Sequence, residues 1–144
     1  MDLTTLWYIW ARGSDICAIL CCVWAFWRGG IVEKYGAAII GVSWLLSFIL
    51  TFPPGAKPTM AIIAIDVTVL ILFVALANWS RRLWVFFIAA CQINAVASHF
   101  IGGLWKHGLY GYVTMLGFWG GWALLICLAC GIVGYRRSIV GQKA

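Results

Sequence analysis

Five apolar runs fill almost the whole chain, separated by short breaks rich in glycine, proline or basic residues. They cover residues 6–27, 35–52, 60–79, 83–105 and 110–135. A helix needs roughly 20 apolar residues to cross a bilayer, and each run reaches that scale. Gly29-Gly30 breaks the first run from the second, and Pro53-Pro54-Gly55 with Pro58 ends the second. Ser80-Arg81-Arg82 makes a tight polar hairpin, and Lys106-His107-Gly108 separates the last two runs. The pattern predicts an all-α integral membrane protein, a compact bundle of five transmembrane helices in one domain over residues 1–144.

The first run is the weakest span. Its uninterrupted part, residues 16–27, reaches only about 18 Å, so a full crossing takes Arg12 and Asp15 into the membrane. These residues stand three apart and can pair along one helix face. The alternative is an interfacial helix ending at Gly13-Ser14 and followed by a half-span, which leaves four full spans.

Composition agrees with this reading. Of 144 residues, 65% are hydrophobic and 10% charged, against roughly a quarter charged in a soluble domain. Little chain is left for a soluble catalytic module. The net charge of +6 comes from basic residues scattered singly or in pairs at run ends, which anchors helices and does not suit nucleic acid. The Met-Asp start has no basic leader, so no cleavable signal is expected. All six cysteines lie within apolar runs and read as packing residues. Cys127 and Cys130 have the spacing of a redox pair, but toward the basic side.

Five spans place the termini on opposite sides. Arg28, Lys34, Arg81, Arg82, Arg136, Arg137 and Lys143 then share the side of the C-terminus, with Arg12, Lys57 and Lys106 on the other. The positive-inside rule makes the C-terminus cytoplasmic and the N-terminus external, and the expected location is a bacterial inner membrane. Trp24, Trp27, Trp79 and Trp84 fall at the inner boundary and Trp7, Trp10 and Trp105 at the outer, where amphipathic rings settle. Trp44, Trp119 and Trp122 lie deeper and are expected to pack between helices.

Depth then selects the candidate chemistry. Asp66 and His99 each lie six residues from an external span end, about 9 Å deep, and Asp15 about 13 Å. Arg12, Asp15, Asp66 and His99 therefore fall in the external half of the membrane, where ionisable groups mark function by default. Gln92 shares a helix face with His99 two turns away, and Asn94 shares another with Ser98. That two-sided polarity makes the fourth helix the expected centre of the bundle, with Ser43 and Ser47 of the second run facing the same interior. The functional reading is an outward-opening polar pocket or proton pathway; the structural one is a neutralised network that locks helices together. No metal site is expected, because no fixed ligand spacing occurs, and no cofactor beyond a single metal or pigment at His99.

Gly117, Gly120 and Gly121 form a small-residue pattern in the fifth run that permits close helix approach. They suggest either a docking face for another copy or subunit, or packing within the chain. The leading functional expectation is a non-enzymatic accessory subunit of a membrane complex or a self-associating bundle, with the bilayer, further copies or other membrane subunits as partners. The alternatives are a proton- or ion-coupled transporter or channel, a holin-like pore-former and, less favoured, a membrane thiol enzyme.

Overall fold

The computed structural model describes residues 3–50, 60–100 and 117–141, with side chains from Gly13 onward. Among these residues the runs become helices α1 (Leu3–Arg28), α2 (Ile31–Leu50), α3 (Met60–Ser80), α4 (Leu83–Ser98) and α5 (Phe118–Gly141). The last opens with a π-helical turn over Phe118–Trp122, and no strand occurs among the described residues. Helices α2, α3 and α5 are long and apolar enough to cross a membrane, whereas α4 is a shorter apolar helix of 16 residues.

Helix α1 runs unbroken through Gly13 and Ser14 for 26 residues, a length of about 39 Å. Helix α2 starts at Ile31, four residues before the expected run, and so takes Glu33 and Lys34 into its first turns. A carboxylate there complements the partial positive charge of a helix N-terminus. Helix α4 stops at Ser98, and His99 caps it through a backbone N–H donated to the Val96 carbonyl at 3.2 Å. The rest of the expected fourth run, and the start of the fifth, lie outside the described residues.

Nearly uniform apolarity means that hydrophobicity alone does not decide which face of a helix turns inward. On α2 and α4 small and polar residues help to mark the inner face. On α2, Glu33, Gly36, Ala37 and Ile40 form a buried stripe. On α3, Ile62, Val69, Phe73 and Leu76 are buried, with Asp66 at the vacant step between the first two. On α4, Val85, Ile88, Gln92 and Ala95 repeat the same three-and-four spacing, the seam of left-handed helix packing. Phe73, Ile40, Ile88, Leu128 and Ile132 are fully buried between these stripes.

Two-residue turns at Gly29-Gly30 and Arg81-Arg82 make hairpins of α1 with α2 and of α3 with α4. Helix α2 also packs on α3, α4 on α5, and α5 returns to α1 and α2, which closes the bundle. Helices α2 and α5 each pack against three others, whereas α4, the expected centre, packs chiefly on α3 and α5. Helix α4 sits between α3 and α5 with Phe86, Phe87, Ile93 and Asn94 exposed. Glycine explains the difference. A Cβ on Gly120 would lie 3.5 Å from Ala95, one on Gly121 3.6 Å from Trp44, and one on Gly131 only 2.6 Å from Trp84. The bare backbone of α5 admits neighbours that a bulkier helix would exclude.

Candidate functional site

Asp66 stands on the buried stripe of α3, and Gln92 and His99 stand two turns apart on the facing stripe of α4. The close α3–α4 hairpin sets their register. His99 Nε2 lies 2.7 Å from Asp66 Oδ2, and the two side chains are 1% and 18% exposed, respectively. Gln92 Nε2 donates to Asp66 Oδ1 at 3.3 Å and to the Asp66 carbonyl at 3.2 Å. Both carboxylate oxygens are thus engaged. Gln92 itself is buried, and its Oε1 has no hydrogen-bond partner among the described residues. A carboxylate and an imidazole in this contact can exchange one proton while the hydrogen bond between them persists.

The other expected residues are placed differently. Asn94 is exposed on the outer side of α4. Ser98 is buried, but its hydroxyl donates to the Ala95 carbonyl of its own helix at 2.6 Å, so it needs no partner across the bundle. Ser43 behaves likewise toward Ile40 at 2.9 Å and lines an open apolar groove of about 490 Å³ between α2 and α3. Asp15 is half-buried on α1. The Arg12 side chain lies outside the described ones, and with it the expected pairing to Asp15. Gly120 and Gly121 face α4 and α2 within the chain, which occupies the surface that had suggested an outside partner; Gly117 directly precedes α5.

A second polar cluster lies at the opposite end of the helices. Glu33 is fully buried, and Arg82 Nη1 donates to its Oε1 at 2.8 Å. Glu33 Oε2 has no hydrogen-bond partner among the described residues. The Arg82 guanidinium stands 5.6 Å from the centroid of the Tyr135 ring, and a Cβ on Gly30 would come within 2.8 Å of both that ring and Glu33 Oε2. Trp84 is wedged beside this group, its indole reaching Gly36 of α2 and Gly131 of α5. Sequence reasoning missed Glu33 by treating residues 28–34 as a connector. The signal available was its spacing to Gly36, Ala37 and Ile40, which continues the buried stripe to the helix start.

All six cysteines are free thiols, and Cys130 is exposed. Among the described residues no group of three or more His, Cys, Asp or Glu side chains is arranged to hold a metal ion. No family model, curated protein or solved structure matches the chain.

Proposed function

We propose that the chain is a five-span membrane protein, N-terminus outside and C-terminus in the cytoplasm, in which Asp66 and His99 form a proton-binding site that serves proton- or ion-coupled movement across the membrane. Three lines support insertion. Helices α2, α3 and α5 have the length and apolarity of spans, α1 is longer than a bilayer core is thick, and large apolar side chains such as Leu45, Ile71, Phe87 and Ile126 lie exposed around the bundle. A helix apolar on every side is stable only within protein or lipid. The basic helix ends orient the whole.

The observation that carries the functional reading is the buried 2.7 Å contact between Asp66 and His99, backed by Gln92. Ionisable groups at membrane depth are costly to keep, and this pair changes its net charge by one when a proton enters or leaves. The test is proton flux into liposomes holding the purified chain, followed with an internal pH-sensitive dye. Flux is expected for the native chain and loss of it for Asp66→Asn with His99→Ala. A native chain that moves no protons or ions under an imposed gradient, or a double variant that moves them equally well, sinks the proposal.

A second reading is a non-enzymatic accessory subunit or self-associating bundle. It draws on the outward face of α5, where Ile126, Cys130, Val133 and Gly134 are exposed and a Cβ on Gly134 would meet nothing. Extraction in mild detergent would then yield a species larger than the monomer. A monodisperse monomer without companions removes this reading.

A further inference from the structure

We propose that the Arg82 end of the bundle carries a binding site for the phosphate of an anionic phospholipid headgroup, with Arg82 as the ligand-facing group and Glu33 as the residue that positions it. The proposal rests on the chain lying in a membrane, and is independent of the role given to Asp66 and His99.

A guanidinium offers five N–H donors in a rigid fork that matches a phosphate. Arg82 commits Nη1 to Glu33, yet its side chain remains 38% exposed. It is held from two sides, by a fully buried carboxylate of α2 and by the Tyr135 ring of α5. An arginine fixed in this way has already lost the rotamer freedom that a free surface arginine gives up on binding. The electrostatics favour an anion. Arg28, Lys34, Arg81, Arg136 and Arg137 are exposed at the same helix ends, and Glu33 is the one carboxylate there among the described residues.

The surroundings point to a lipid as the source of the phosphate. Trp27 and Trp79 are exposed at this end, and Trp79 meets Tyr35 edge-on with ring centroids 5.9 Å apart. Such rings settle at headgroup level. Exposed Ile31 and Leu83 flank the cations on the apolar side. A ligand with a phosphate head and hydrocarbon tails satisfies both surfaces at once.

The experiment measures lipid retention by the full-length chain in detergent, using native mass spectrometry with equal phosphatidylglycerol and diacylglycerol, which has the same tails and no phosphate. The expected result is a preference of about tenfold for phosphatidylglycerol, the scale of one well-made bidentate contact. Arg82→Lys keeps the charge and loses the fork, and is expected to lose most of that preference. Arg136→Gln with Arg137→Gln removes two charges and should keep at least half of it. Glu33→Gln raises the net charge by one yet should weaken the preference, because Arg82 loses its anchor. The proposal is overturned if Arg82→Lys retains lipid as the native chain does, if Glu33→Gln strengthens retention, or if the double variant falls as far as Arg82→Lys. Should Arg82→Lys fail to fold, as read by helicity and monodispersity, the other two variants decide. Inorganic phosphate that protects the chain from heat as well as the lipid does overturns the lipid assignment. Release of the native chain from membranes by alkaline carbonate would be a failure of the membrane reading itself, and is thereby distinguished from failure of the site.

Discussion

Arg81 adopts φ 52°, a left-handed conformation that a Cβ disfavours by roughly 1–2 kcal/mol. It follows the last turn of α3, where its N–H donates to the Ala77 carbonyl at 2.8 Å, the place at which helices commonly end on glycine. Arg81→Gly is therefore expected to stabilise the fold by about 0.5–1 kcal/mol, after the entropy that glycine loses on folding. Thermal unfolding in detergent reads this directly, and an unchanged or lowered midpoint would count against it. The Glu33–Arg82 pair predicts the opposite sign. Arg82→Ala strands a buried carboxylate and should cost about 3 kcal/mol, the low end for buried pairs because Arg82 is partly exposed. Replacing both residues by leucine should recover most of the loss; a double variant as unstable as the single one would show that the charge is not the cause. The contrast between Asp66 and Glu33 shows what single residues reveal in a sequence. Asp66 stands alone in an apolar run, so depth exposes it as costly. Glu33 neighbours Lys34 and two glycines, the chemistry of a solvated turn, and only packing against α4 and α5 makes it an interior group.

Helices were legible because apolar runs of spanning length have few other outcomes, and the Gly29-Gly30 and Arg81-Arg82 turns fall where the breaks in the pattern put them. Rotation and neighbours were harder to read. Helix α4 drew attention through Gln92, Asn94, Ser98 and His99, yet a serine satisfied by its own helix exerts no pull across the bundle, and Asn94 faces outward. Packing is governed instead by how closely two backbones can approach. Gly131 gives the sharpest test. A Cβ there would lie 2.6 Å from Trp84 Cε2, whereas one on Gly134 meets nothing within 4 Å. Gly131→Ala should destabilise the fold by about 1–3 kcal/mol through overpacking. Gly134→Ala, three residues along the same helix, should be neutral or slightly stabilising. Equal effects of the two substitutions would refute the wedge of Trp84 as a constraint on α5.

At the scale of the molecule, the uneven distribution of basic residues makes a topological prediction. Reporter domains fused after Ala144 should be active only in the cytoplasm, and those fused before Met1 only outside; both termini on one side would reduce the chain to an even number of crossings. The two polar clusters also determine how such a bundle could move. Helix α4 is clasped to α2 through Arg82 at one end and to α3 through His99 at the other, about 25 Å apart along its axis. Apolar packing and the Gln92–Asp66 hydrogen bonds lie between, and the Trp84 indole beside the first clasp is seated in glycine notches. Sliding α4 along its axis would break both clasps together. Loss of the Asp66–His99 contact alone leaves the Arg82 end as a fulcrum, so it would swing α4 like a lever and not drive it like a piston. Spin labels at Ala64 and Ala97 should then separate in Asp66→Asn with His99→Ala while labels at Lys34 and Leu83 hold their distance, so that a small change at one end of the bundle becomes a displacement whose pivot lies at the other.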